Sequence, residues 1–69
     1  MEIFNEFQFL DRNARIFKIG ELFRVDIFDA QDDYQSTLTC QDEAIAGRIA
    51  QNWTKYGDRA GFEREAGRY

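Results

Sequence analysis

The sequence predicts an α+β fold in two layers: a three- to four-stranded antiparallel β-meander packed by one main C-terminal α-helix, with a short second helix or a frayed tail behind it. Three observations predict it. Apolar and polar residues alternate through residues 1–40, the period of strands with one buried face. Polar or glycine-containing clusters interrupt that alternation where tight turns would fall. From Gln41 the apolar residues fall at Ile45, Ile49, Trp53 and Tyr56, steps of four, four and three that mark one stripe of an α-helix.

The elements follow in order. Glu2–Leu10 places Ile3, Phe7 and Phe9 on one parity and Phe4 and Leu10 on the other, which suits a strand. Asp11–Ala14 reads as a turn, since Asp11 and Asn13 tolerate positive φ. Arg15–Ile19 is a second strand, closed by Gly20-Glu21 as a two-residue hairpin loop. Leu22–Asp29 alternates most cleanly, with Phe23, Val25 and Ile27 on one face and Arg24 and Asp26 on the other. Ala30–Asp33 is the next turn, and Tyr34–Cys40 a fourth strand. The main helix is expected over residues 41–57. Thr39 and Asp42 resemble a capping arrangement at its start, and Gly57 suits a left-handed end. In residues 58–69 Phe62, Ala66 and Tyr69 are spaced to touch the core, while Gly61 and Gly67 weaken a helix by ~1 kcal/mol each. Phe4, Leu10, Leu22 and Phe28 would then lie on the sheet face away from the helix, to be covered by the tail or by a partner.

The chain has 69 residues, one domain's worth, and a domain of that size buries only ~60% of its unfolded surface. Cys40 is the only cysteine and there is no histidine. Neither a disulfide within the chain nor tetrahedral N/S zinc ligation can therefore be assembled. Stability is left to an aromatic core, or to self-association. Aromatic residues make 16% of the chain, and each ring buries ~150–250 Å². A single cysteine suits a reducing compartment, and no signal pattern or long apolar run is found, so a cytoplasmic protein without a membrane segment is expected.

Most chemistries find no support. Cys40 sits near a helix start, yet no base accompanies it and Asp42 and Glu43 oppose a thiolate; a buried, inert thiol is the expectation. Asp29, Gln31 and Asp33 can be laid on a calcium loop. That match fails at its glycine and bidentate-glutamate positions, occupied here by Tyr34 and Cys40. No phosphate-cradling loop or catalytic triad is present. The expectation is a non-enzymatic protein with no cofactor and no metal.

Charge is the uneven feature. Residues 1–24 sum to zero, residues 25–47 to −6 and residues 48–69 to +2, giving the net −4 of the chain. The central stretch, VDIFDAQDDYQSTLTCQDEAIAG, holds Asp26, Asp29, Asp32, Asp33, Asp42 and Glu43 and no Lys or Arg. Turns and helix N-termini attract acids without any function, which accounts for Asp32, Asp33, Asp42 and Glu43 but less well for mid-strand Asp26. The functional reading is an acidic hairpin region that steers the chain onto a basic partner. In it Asp26, Phe28, Asp29, Asp32, Asp33, Tyr34, Asp42 and Glu43 form the contact, and Phe28 and Tyr34 supply the apolar anchor.

In size, acidity and lack of catalytic apparatus the chain resembles small phage-encoded inhibitors of the anti-CRISPR type. That resemblance implies an inhibitor or adaptor bound to a nucleic-acid-binding protein, and assigns no site residues. The alternative is a homodimeric accessory protein associating through a sheet face or edge. A third reading, a single-stranded nucleic-acid binder using sheet aromatics, is opposed by the absence of a basic surface.

Overall fold

A computed structural model describes residues 2–29 and 34–66, and of Tyr34, Gln35 and Ala66 the backbone alone. Four strands, β1 (Ile3–Phe9), β2 (Arg12–Ile19), β3 (Leu22–Phe28) and β4 (Tyr34–Cys40), precede two helices, α1 (Glu43–Tyr56) and α2 (Arg59–Ala66). The strands form one four-stranded antiparallel sheet in the order β1-β2-β3-β4. The predicted α+β meander is thus the observed fold, with four strands and a formed second helix.

The core lies between one sheet face and the helices. Ala14 and Ile16 of β2, Phe23, Val25 and Ile27 of β3, and Leu38 and Cys40 of β4 meet Ala46, Ile49, Ala50 and Trp53 of α1 and Phe62 of α2. The alternate side chains of β3 that the sequence assigned to the core are all buried there. Trp53 also ties helix to sheet by hydrogen bonds, its indole N–H donating to the carbonyls of Asn13 (3.2 Å) and Phe28 (3.3 Å). Tyr56, assigned by period to the buried stripe, is instead 75% exposed. It is the last residue of α1, where the helix ends before its side chain meets the sheet.

Local chemistry sets the ends of α1. Asp42, not Thr39, is the N-cap: its carboxylate accepts the Ala44 N–H at 2.8 Å. Thr39 stays in β4 opposite Arg24. Gly57 ends the helix as expected, at φ 64° and ψ 31°, a left-handed conformation that glycine adopts without steric cost. Its N–H donates to the Trp53 carbonyl at 2.8 Å.

Two strand details differ from expectation. The first turn is only Leu10-Asp11, with Leu10 at φ 56°, so Arg12, Asn13 and Ala14 belong to β2 rather than to a loop. A register shift between Ile3 and Asn5 moves Phe4 across the strand. Its ring packs edge-on to core residue Phe23, centroids 5.3 Å apart. Ile3 pairs with Phe17 and takes the outer face in its place. The predicted turn at Ala30–Asp33 and the side chain of Tyr69 lie outside the described residues.

Candidate functional site

The outer face of the sheet, opposite the helices, carries the exposed apolar residues Ile3, Ile19 and Leu22. α2 packs on α1 and β4 and sends Phe62 into the core, so it leaves this face open, and among the described residues nothing else covers it. Register fixes its layout. At the Gly20-Glu21 end Ile19 pairs with Leu22, and Phe17 lies between Ile3 and Arg24. In the middle row Arg15 lies between Glu6 and Asp26. At the other end Asn13 pairs with Phe28. Ile3, Ile19 and Leu22 are 48%, 42% and 39% exposed.

Charge on this face is balanced and internally paired. Arg15 Nε donates to Glu6 at 2.9 Å, and Arg24 Nη2 to Asp26 at 3.0 Å. The same guanidinium groups lie over aromatic rings, Arg15 over Phe28 at 4.6 Å and Arg24 over Phe17 at 4.8 Å, the geometry of cation–π attraction. A nucleobase stacking on Phe17 or Phe28 would have to displace those cations. The face therefore gives a single-stranded nucleic acid neither bare rings nor a net positive charge.

Among the described residues the predicted acidic contact does not form one surface. Asp26 is 7% exposed; besides Arg24 it accepts a hydrogen bond from the Thr37 hydroxyl across the β3–β4 pair. Its carboxylate is occupied in holding the sheet together, which corrects its assignment to an accessible acidic patch. Asp42 is consumed as a helix cap, and exposed Glu43 begins the helix beside it. Both lie at the Cys40 end of β4. Phe28, Asp29 and the backbone of Tyr34 lie at its opposite end. Strand β4 has seven residues, so at ~3.3 Å per residue the two groups of acids stand ~20 Å apart. Asp29 is half-buried just after β3, Phe28 is half-buried on the outer face, and Asp32 and Asp33 lie outside the described residues. Partners 11 residues apart in sequence, such as Thr37 and Asp26, give no local signal, so the sequence could not reveal that Asp26 was satisfied.

Reasoning from sequence also missed Arg12. Its Nε donates to the carbonyls of Trp53 (3.0 Å) and Thr54 (3.1 Å), and its Nη2 to that of Lys55 (3.3 Å). A fixed cation thus closes the C-terminus of α1, where the helix leaves carbonyls without partners and the dipole is negative.

Cys40 is buried. Burial pushes its thiol above the ordinary value, and the neighbouring Asp42 and Glu65 carboxylates add to the rise, against an opposing hydrogen bond with the Asp42 backbone. That is the reverse of an activated thiolate. A shallow cleft between α1 and α2 is lined by Arg48, Arg64, Asp58 and Glu65, two charges of each sign. Among the described residues no acidic or cysteine cluster is placed to hold a metal ion, and no helix is long and apolar enough to cross a membrane. Comparison of the chain with protein families, with characterised proteins and with solved structures finds no match.

Proposed function

We propose that the chain is a non-enzymatic protein-interaction module, of inhibitor or adaptor type, whose β3–β4 end binds a basic surface of a partner that itself handles nucleic acid. The observation that carries the reading is the base-free run from Val25 to Gly47. With Asp26 buried and Asp42 at the far end of the sheet, the contact is assigned to Asp29, Asp32 and Asp33, together with Phe28 and Tyr34. Glu43, at the far end of the sheet, is left out of it. Long-range attraction between the acids and the partner would set the association rate, and the aromatic residues would add contact area.

The test is capture of a basic protein from host lysate by the immobilised chain. Changing Asp29, Asp32 and Asp33 together to Asn should weaken capture, and raising the salt from about 50 to 300 mM should slow association, because screening shortens the reach of exposed charges. Capture indifferent to both changes would remove the acidic contact as the basis of binding.

A further inference from the structure

The seam between β2 and β3 is self-complementary, and we propose that the outer sheet face binds a second copy of the chain, giving a two-fold dimer with sheets packed face to face. A two-fold axis running along the strands, above the β2–β3 seam, lays β2 of each copy on β3 of the other. Every seam residue then faces, from the other copy, the residue that is already its cross-strand partner. Ile19 faces Leu22, Phe17 faces Arg24, and Arg15 faces Asp26. Apolar Ile19 and Leu22 meet twice by symmetry, and the ion pairs and ring–guanidinium stacks already formed within each copy lie against those of the other.

Charge permits self-association through this face. Two copies at net −4 each repel through most of their surface. The outer face carries Arg15 and Arg24 against Glu6 and Asp26, so it is neutral and contact through it sets no excess of like charge together. Size sets its strength. Four strands ~4.8 Å apart and ~20 Å long present a projected area of ~400 Å² before side-chain corrugation is counted. That is about half of the ~800 Å² per partner of standard interfaces, the size of a weak, transient contact rather than an obligate one. Aligned sheets pack within ~30° of each other at ~10 Å, which keeps the central seam in contact. The helices lie on the outside, and the axis leaves both β3–β4 ends at the same end of the dimer. The proposal does not depend on those ends binding anything: loss of the dimer and loss of acidic capture are read by different variants.

Sedimentation equilibrium from about 5 μM to 1 mM tests it. The expected mass rises toward twice the 8.2 kDa monomer. Leu22→Asp and Ile19→Asp should hold the chain monomeric throughout. Leu10→Asp and Tyr56→Asp, at sites 76% and 75% exposed away from the seam, should leave the dimer intact. Should the seam variants fail to fold, isotope-filtered NMR on mixed labelled and unlabelled wild-type protein reads the same contact, with Ile19 methyls of one copy giving cross-peaks to Leu22 methyls of the other. A wild-type chain that is monomeric at 1 mM would overturn the proposal. So would a dimer untouched by Leu22→Asp, or one without the intermolecular Ile19–Leu22 signal.

Discussion

Replacing Arg12 by alanine removes three hydrogen bonds from one guanidinium to the last carbonyls of α1, at 3.0, 3.1 and 3.3 Å. Hydrogen bonds to a charged group contribute about 1.5–3 kcal/mol when their partners are shielded, and a cation at a helix C-terminus another 0.3–1 kcal/mol. The Arg12 side chain is 25% exposed, and the Trp53 carbonyl keeps the Gly57 N–H, so water and the cap recover part of the loss. A net destabilisation of about 2 kcal/mol is expected. With an unfolding entropy of ~2.1 cal/mol/K per residue over 69 residues, that lowers Tm by about 14 °C. Thermal unfolding followed by circular dichroism at 222 nm measures it. Arg12→Lys should fall between, since an ammonium cannot span three carbonyls. Arg48→Ala is the comparison. Its pair with Glu65, at 3.5 Å from an arginine 57% exposed, belongs to the class of surface bridges worth about 0–1 kcal/mol. If Arg12→Ala costs no more than Arg48→Ala, the carbonyls are served by solvent and the capping argument fails.

Two further outcomes are expected. Gly57→Ala should cost more than Gly20→Ala in a urea titration. Both glycines have φ near +60°, which costs a residue with a Cβ about 1–2 kcal/mol, but a Cβ at Gly57 would also press on the Arg12 guanidinium at 3.2 Å whereas one at Gly20 meets nothing; equal losses would remove the packing contribution. For Cys40 the sign follows from the raised thiol. The folded chain keeps a proton that the unfolded chain releases, so this stability is full below the unfolded pKa of about 8.5 and is lost as pH rises through the folded value. Cys40→Ala should therefore flatten the fall in urea midpoint above pH 8.5, and an unchanged slope would contradict the assignment.

The parts of the fold that were legible in the sequence are those written locally. Phe23, Val25 and Ile27 alternate because one face of β3 is dry. Ile49 and Trp53 repeat at helical spacing because one stripe of α1 is, and Gly57 marks a left-handed end. The parts that were not legible depend on contacts between distant residues. Arg12 sits between two turn-forming residues, and nothing near it announces that it reaches α1, 41 residues or more away. Phe4 changes face through a bulge that shifts parity by one. The acidic run looked continuous because sequence records neighbours along the chain; in the fold a full strand separates Asp42 and Glu43 from Asp29. Of the proposed contact, charge pattern points to Asp29 and strand alternation to Phe28. The outer face was found as a question about which element would cover it.

The central claim is that the acids of the base-free run divide between structural work and binding, with Asp26 on the structural side. Urea unfolding of Asp26→Asn tests it most directly. The substitution keeps the volume but removes the charge that accepts from Arg24 and Thr37 in a site 7% exposed, so a loss of about 2 kcal/mol is expected. A variant within about 0.5 kcal/mol of wild type, the range of ordinary surface substitutions, would contradict the claim and return Asp26 to the acidic surface.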